Sequence, residues 1–181
     1  EVIKYGIIYD ARLFSLIEKQ HTKILKQDSV LMSRIVARSC QIKANVVEED
    51  EKEGGLRAIL NYGHTIGHGL EAITRYGEYL HGEAISIGQI AAAHLSDHYL
   101  GLGQKSVDRI RSLFKVIGLP VSVKLSAGQE RKLFQAMRMD KKVSGGEVKF
   151  VLADRIGKVS IGQSVEDSAI RKALSLVSVE S

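Results

Sequence analysis

The stretch RAILNYGHTIGHGLE, Arg57 to Glu71, decides how the chain is read. Arg57, Asn61, His64, His68 and Glu71 follow one another at steps of 4, 3, 4 and 3. At about 100° per residue, these five side chains share a sector of roughly 80° on one helix. Ile59, Ile66, Leu70 and Ile73 fall on the other side. The segment therefore reads as an amphipathic helix with one face for a core and one face of coordinating and anion-binding groups.

The rest of the chain reads mainly as helix. It has 181 residues, 44% of them hydrophobic, enough for one domain with its own core. A single Pro leaves helices few places to break. Residues 1–20 read as one helix. DSVLMSRIVARSCQIKANVVEED reads as a second, capped by Asp28 or Ser29. Glu83 to about Leu100, rich in Ala and Ile, reads as a buried helix. SVDRIRSLFKVIG (Ser106–Gly118) reads as a short amphipathic helix capped by Ser106 and stopped by Leu119-Pro120. SAGQERKLFQAMRMDKK reads as a helix with a cationic end. The period then changes: EVKFVLADRIGKVSIG suggests a hairpin, and a last helix runs from about Val165 to Val177. The expected fold is mainly α with one small β-hairpin near the C-terminus, as a single domain over residues 1–181.

Composition narrows the function classes. The net charge of +5 is spread along the chain and is interrupted by acidic blocks such as Glu48–Glu53. No basic tract is interleaved with aromatics, so nothing speaks for nucleic acid. No apolar run approaches the roughly 20 residues of a membrane helix. The lone Cys40 allows no internal disulfide, fits a reduced cytoplasmic setting and is expected to be a buried small hydrophobe. The chain opens on Glu1 in EVIKYG, which reads like the inside of a domain, so a fragment or processed product is expected.

The chemistry-bearing residues fall into two groups. Imidazoles at i and i+4, His64 and His68, share a helix face, and His81 and Glu83 follow in HGE. Catalytic zinc sites take three protein ligands from His, Asp or Glu. Either helix histidine with His81, plus a carboxylate, could supply them. Gly63, Gly67, Gly69, Gly77 and Gly82 surround the set and would allow close approach of a backbone or a substrate. The other group is cationic: Lys4, Lys43, Arg57, Lys141 and Lys142, suited to phosphate or carboxylate. A second pair with the same spacing, His94 and His98, lies at a helix C-terminus without glycines and reads as a dipole contact. His21 reads as isolated and superficial.

EVIKYG, KANVVEEDEKEGGLRAILNYGHTIGHGLE, LHGEAISIG and MDKK together resemble the C-terminal domain of the 3-dehydroquinate synthases, over residues 1 to about 162. The resemblance implies a two-domain enzyme whose N-terminal α/β domain binds NAD and is absent here. It implies the dehydroquinate synthase-like fold and a divalent metal, Zn²⁺ or Co²⁺, on Glu1, His64 and His81. It also implies a phosphorylated sugar acid, 3-deoxy-D-arabino-heptulosonate 7-phosphate, as substrate. Substrate contacts are implied at Lys4, Lys43, Arg57, Asn61, His68, Lys141 and Lys142. Of these, Lys4, Lys43, Arg57, Asn61, His68 and Lys142 carry the catalytic roles. The implied setting is a cytoplasmic homodimer. Related cyclases that build inosose or valiolone rings, and a non-catalytic helical module, are the competing readings.

Overall fold

The computed structural model describes residues 1–50, 55–74, 79–140 and 148–179. Its elements are α1 (Val2–Ile8), α2 (Ala11–Leu25), α3 (Ser29–Glu49), a 3-10 helix (Leu56–Asn61), α4 (His64–Ile73), α5 (His81–Leu100), α6 (Gln104–Val116), α7 (Ala127–Asp140), β1 (Lys149–Arg155), β2 (Lys158–Ser164) and α8 (Asp167–Val177). The mainly helical reading with one C-terminal hairpin holds. Lys141, Lys142 and Gly77 lie outside the described residues.

Helix α5 is the axis of the molecule. It is apolar nearly all round, as a helix enclosed by others must be, and Ala84 to Ala93 are buried without a break. Helices α4, α6 and α8 and strand β1 pack around it. The hairpin lies with Phe150, Val151, Leu152 and Ala153 buried. Ala153 N–H donates to Ser96 Oγ (2.8 Å), and Ser96 Oγ–H donates to the Ala92 carbonyl (2.6 Å), so one hydroxyl on α5 anchors β1. At the hairpin turn, Gly157 sits at φ +93° and its N–H donates to the Ile7 carbonyl at 2.7 Å. The C-terminal hairpin is thereby tied to α1.

Local chemistry explains where the sequence reading of the elements needs correction. Residues 1–20 form two helices, because the Asp10 carboxylate accepts from Arg12 N–H (2.9 Å) and Leu13 N–H (3.1 Å) and starts a new one. Asp28 is the cap of α3, accepting from Leu31 N–H at 2.9 Å. Helix α6 begins at Gln104 with Gly103 before it, one turn earlier than a Ser106 cap implies. Helix α5 begins at His81 rather than Glu83. Glu83 instead turns its carboxylate back to accept from Leu80 N–H at 2.8 Å. Cys40 is exposed, on the outer side of α3.

The largest correction falls on the opening stretch. Arg57 to Glu71 is not one helix. The 3-10 helix ends at Asn61, Gly63 takes a left-handed φ of +78°, and α4 starts at His64. Left-handed backbone favours glycine. The close approach of α5 requires a glycine there for a second reason: a Cβ on Gly63 would lie 2.7 Å from Gln89 N. The contact is reciprocal, since a Cβ on Gly88 would lie 2.2 Å from the Gly63 carbonyl oxygen. These glycines let two backbones touch; they make no room for a substrate. Ile59, Ile66 and Leu70 are buried as their register requires, and Ile73 is half-buried.

Candidate metal centre

Three helix beginnings meet at one place. Glu1 is the cap residue of α1, His64 is the first residue of α4, and His81 is the first residue of α5. One donor atom from each of Glu1, His64 and His81 lies within 4.8 Å of the other two. His64 Nε2 is 3.5 Å from Glu1 Oε1, and His81 Nε2 is 3.9 Å from the same oxygen. Two donors on a tetrahedral ion with bonds of ~2.1 Å sit ~3.4 Å apart. The two separations to Glu1 are therefore those of tetrahedral donors opened by up to about half an ångström.

The far nitrogens of both imidazoles already have partners. His64 Nδ1 faces the Tyr62 carbonyl at 3.1 Å, and His81 Nδ1 faces Glu71 Oε1 at 3.1 Å. Both partners accept hydrogen bonds, so each Nδ1 carries the proton and each Nε2 presents its lone pair toward Glu1. A ligating histidine held this way has its tautomer and ring orientation fixed from behind. Tyr62, whose backbone does this for His64, is fully buried, and its hydroxyl donates to the Gln89 carbonyl at 3.3 Å. Burial pushes the Tyr62 phenol well above its usual range. Two imidazoles, one carboxylate and fixed tautomers suit Zn²⁺ and Co²⁺ alike.

Lys4 sits one turn after Glu1 and is 3% exposed. Its Nζ donates to Glu1 Oε2 (2.7 Å) and to the Leu60 carbonyl (2.7 Å), which leaves one N–H for the adjoining cavity. Burial lowers the Lys4 pKa, and the Glu1 carboxylate offsets part of that. Burial alone would raise the Glu1 carboxyl. The Lys4 ammonium, through its hydrogen bond and its charge, works against this and holds Glu1 below the usual carboxylate range. Glu1 is therefore the anion a cation site needs.

A cavity of 380 Å³ opens beside these groups. Glu1, Lys4, Tyr5, Lys43, Arg57, Asn61 and His64 line it. Arg57 is aimed by the end of α3: the Asp50 carboxylate accepts from Gly55 N–H and Arg57 N–H, both at 2.8 Å. The sequence candidates Glu1, His64, His81, Lys4, Lys43, Arg57 and Asn61 thus come together. His68 lies on the far side of His64, with ring centroids 5.1 Å apart, and does not line this cavity. Sequence reasoning missed Glu71 as the partner of His81, although it stands in the same stripe. It also missed Tyr62 and Asp50, which act through backbone groups and leave no side-chain pattern to read.

The sequence profile of the family described as 3-dehydroquinate synthase C-terminal matches residues 1–143. The chain belongs to the 3-dehydroquinate synthase C-terminal family. Among relatives of this family, the 3-dehydroquinate synthase of Thermodesulfovibrio yellowstonii is 44% identical over 174 residues, covering 96% of this chain and 48% of the relative. That of Synechocystis sp. is 46% identical over 177 residues, with shares of 96% and 48%. The chain spans about half the length of the curated relatives it matches. Two solved structures share the fold of this 3-dehydroquinate synthase C-terminal chain. A 2-epi-5-epi-valiolone synthase from Streptomyces hygroscopicus subsp. jinggangensis, with NAD⁺ and Zn²⁺ bound, superposes at TM-score 0.85 with 22% identity, over 97% of this chain and 49% of that one. A 2-deoxy-scyllo-inosose synthase complexed with carbaglucose-6-phosphate, NAD⁺ and Co²⁺ superposes at 0.74 with 22% identity, over 96% and 49%. Among the described residues, no helix is long and apolar enough to cross a membrane.

Proposed function

We propose that this chain is the metal- and substrate-binding half of a 3-dehydroquinate synthase, which converts 3-deoxy-D-arabino-heptulosonate 7-phosphate to 3-dehydroquinate and phosphate. The observation that carries the reading is the convergence of Glu1, His64 and His81 at the edge of a cavity lined by Lys4, Lys43 and Arg57. Relatives above 40% identity bear that enzyme's name. The proposed whole protein pairs residues 1–181 with a preceding α/β domain that carries NAD, as a cytoplasmic homodimer.

Glu1, His64 and His81 would hold a divalent ion, Zn²⁺ or Co²⁺. Such an ion supplies Lewis acidity that eases ionisation of a sugar hydroxyl. The chain's own residues do the rest. Tyr62 and Glu71 keep both Nε2 lone pairs turned toward the centre. Lys4 uses its remaining N–H on a substrate oxygen while its charge is shared with Glu1. Arg57 and Lys43 neutralise the carboxylate and phosphate of the sugar acid, with the guanidinium suited to bidentate contact. Asn61 offers both donor and acceptor to one hydroxyl. His68, behind His64, holds or relays a proton through a hydrogen bond to substrate or water. Lys141 and Lys142 follow α7 and supply further cations to the phosphate.

The test is turnover of the heptulosonate phosphate by the protein carrying its NAD-binding half, followed by phosphate release. Adding NAD-binding half and metal to this chain in trans should restore activity that the chain alone lacks. Phosphate release from heptose or hexose phosphates but not from the heptulosonate would assign the chain to the inosose or valiolone cyclases instead. No turnover of either class would leave a non-catalytic helical module.

A further inference from the structure

His81 presents its two ring nitrogens to two different carboxylates. Nε2 lies 3.9 Å from Glu1 Oε1, and Nδ1 lies 3.1 Å from Glu71 Oε1. Glu71 stands on α4 three residues after His68, so both point from one helix face toward the same edge of the His81 ring. The ring centroids of His68 and His81 are 5.9 Å apart. His68, Glu71 and His81 offer three donor atoms within 4.8 Å of one another, the same limit that Glu1, His64 and His81 meet. Two donor sets therefore lie on opposite edges of a single imidazole.

The second set has its own access. A cavity of 390 Å³ lies between α4 and α7, lined by Thr65, His68, Gly69, Glu71, Ala136 and Met137. It shares no lining residue with the cavity beside Glu1 and His64. His68, which lines it, and His81 are both exposed, and the Glu71 side chain is 13% exposed. An ion from solvent can reach these donors without crossing the first site.

We propose that His68, Glu71 and His81 form a second divalent-metal site, open to borderline ions such as Zn²⁺ and Co²⁺, that fills only when metal is in excess. Two imidazole nitrogens and a carboxylate are the donor types borderline divalent ions take. Binding there replaces the Nδ1–H···Glu71 hydrogen bond with metal bonds from Nδ1 and the Glu71 carboxylate; the Nδ1 proton leaves to buffer, so that His81 bridges the two ions as an imidazolate. The first site needs no such exchange, so it fills first. A filled second site also takes His68 away from the substrate. That last consequence, inhibition by excess metal, rests on the proposed function; the binding itself does not.

The experiment is a calorimetric titration of the metal-free chain with Zn²⁺, repeated with Co²⁺ by visible absorption. The chain should take up two equivalents, the second at least tenfold more weakly than the first. Glu71→Gln keeps an acceptor for His81 Nδ1–H but loses the anionic donor. It should bind one equivalent with the first affinity changed less than tenfold. Glu1→Gln should weaken the first equivalent and leave the second. One equivalent in the unaltered chain at hundredfold metal excess over the first Kd overturns the proposal, as do two equivalents in Glu71→Gln. If Glu71→Gln does not fold by far-UV circular dichroism, anomalous scattering at the zinc edge from zinc-soaked crystals of the unaltered chain decides. Two peaks flanking His81 support the second site, and one peak refutes it. Failure of the first site shows separately, as undiminished tight binding in Glu1→Gln.

Discussion

Two histidine pairs in this molecule have the same spacing and different fates. His64 and His68 open α4; His94 and His98 lie near the end of α5. Around the first pair, α1 contributes Glu1, α5 contributes His81, and α4 itself adds Glu71. Around the second pair stand Asp97, Gln104 and Lys172, and no three-donor group forms there among the described residues. His98 packs edge-on against Tyr99 with centroids 4.9 Å apart. His94 Nε2 is buried without a hydrogen-bond partner among the described residues. An i, i+4 pair aligns two rings on one helix face and no more. What makes a site is the arrival of a third donor from elsewhere in the fold. At the first pair that arrival depends on helices beginning there, because a first-turn side chain projects where neighbouring chain segments can meet it.

The sharpest way to break the comparison is to remove one ring from each region. His64→Ala or His81→Ala should lower Zn²⁺ affinity by more than about 100-fold, beyond the 10–100-fold loss of an outer hydrogen bond. His94→Ala and His98→Ala should leave it unchanged in the same calorimetric titration. Comparable losses from both pairs would undo the distinction.

A smaller effect separates the carboxylates. Glu71→Ala deprives His81 of its orienting partner and should weaken the first ion about 10–100-fold. Asp97→Ala should not, since Asp97 spends its carboxylate on Gly103 N–H at 2.8 Å.

Packing gives the next test. Gly88→Ala forces a methyl against the Gly63 carbonyl, and overpacking of this kind costs about 1–3 kcal/mol. The midpoint of thermal unfolding should fall, and zinc affinity should fall with it as α4 shifts. Gly101→Ala, past the second pair, meets open space at φ +68°. It should cost ~1–2 kcal/mol of backbone strain with zinc affinity intact.

The smallest effect concerns protons. Burial lowers the His94 pKa, Arg111 adds to this, and Asp97 and Asp108 oppose it. The folded chain then binds a proton at His94 less readily than the unfolded chain does. The stability from neutral His94 is complete above the ordinary histidine pKa of about 6.5, and it is lost as pH falls from there toward the lowered folded value. Urea midpoints at pH 8 and pH 5.5 should therefore drop more for the unaltered chain than for His94→Gln. A parallel drop would show that His94 takes no part.

Much of this was legible in the sequence, for specific reasons. The periodic helices α3, α5 and α8 and the hairpin about ADRIGK were readable because burial imposes a period on apolar residues. The stripe from Arg57 to Glu71 singled out residues that do lie near one another, but through the wrong geometry. It reads as one helix because steps of 3 and 4 are helical steps, whereas Gly63 breaks the chain between Asn61 and His64. The residues still converge, because the 3-10 helix packs on α1 and α4 packs on α5. Glu1 could be assigned only through family resemblance, since nothing in EVIK announces a ligand 63 positions from its nearest partner. Glu83, beside His81 in HGE, looked like a donor and is a helix cap. Tyr62 and Asp50 serve through backbone carbonyl and backbone N–H groups, and such partners appear only once the chain is folded.

The bond from Gly157 N–H to the Ile7 carbonyl has a consequence for biosynthesis. Helix α1, which bears Glu1 and Lys4, emerges from the ribosome long before the hairpin turn that braces it. Until residue 157 has cleared the exit tunnel, the carboxylate has its neighbours in sequence but not its final seat. Helix α1 gains this brace only once residues 7 and 157 are both in place, so a chain cut short before the turn should seat Glu1 less firmly than the full chain.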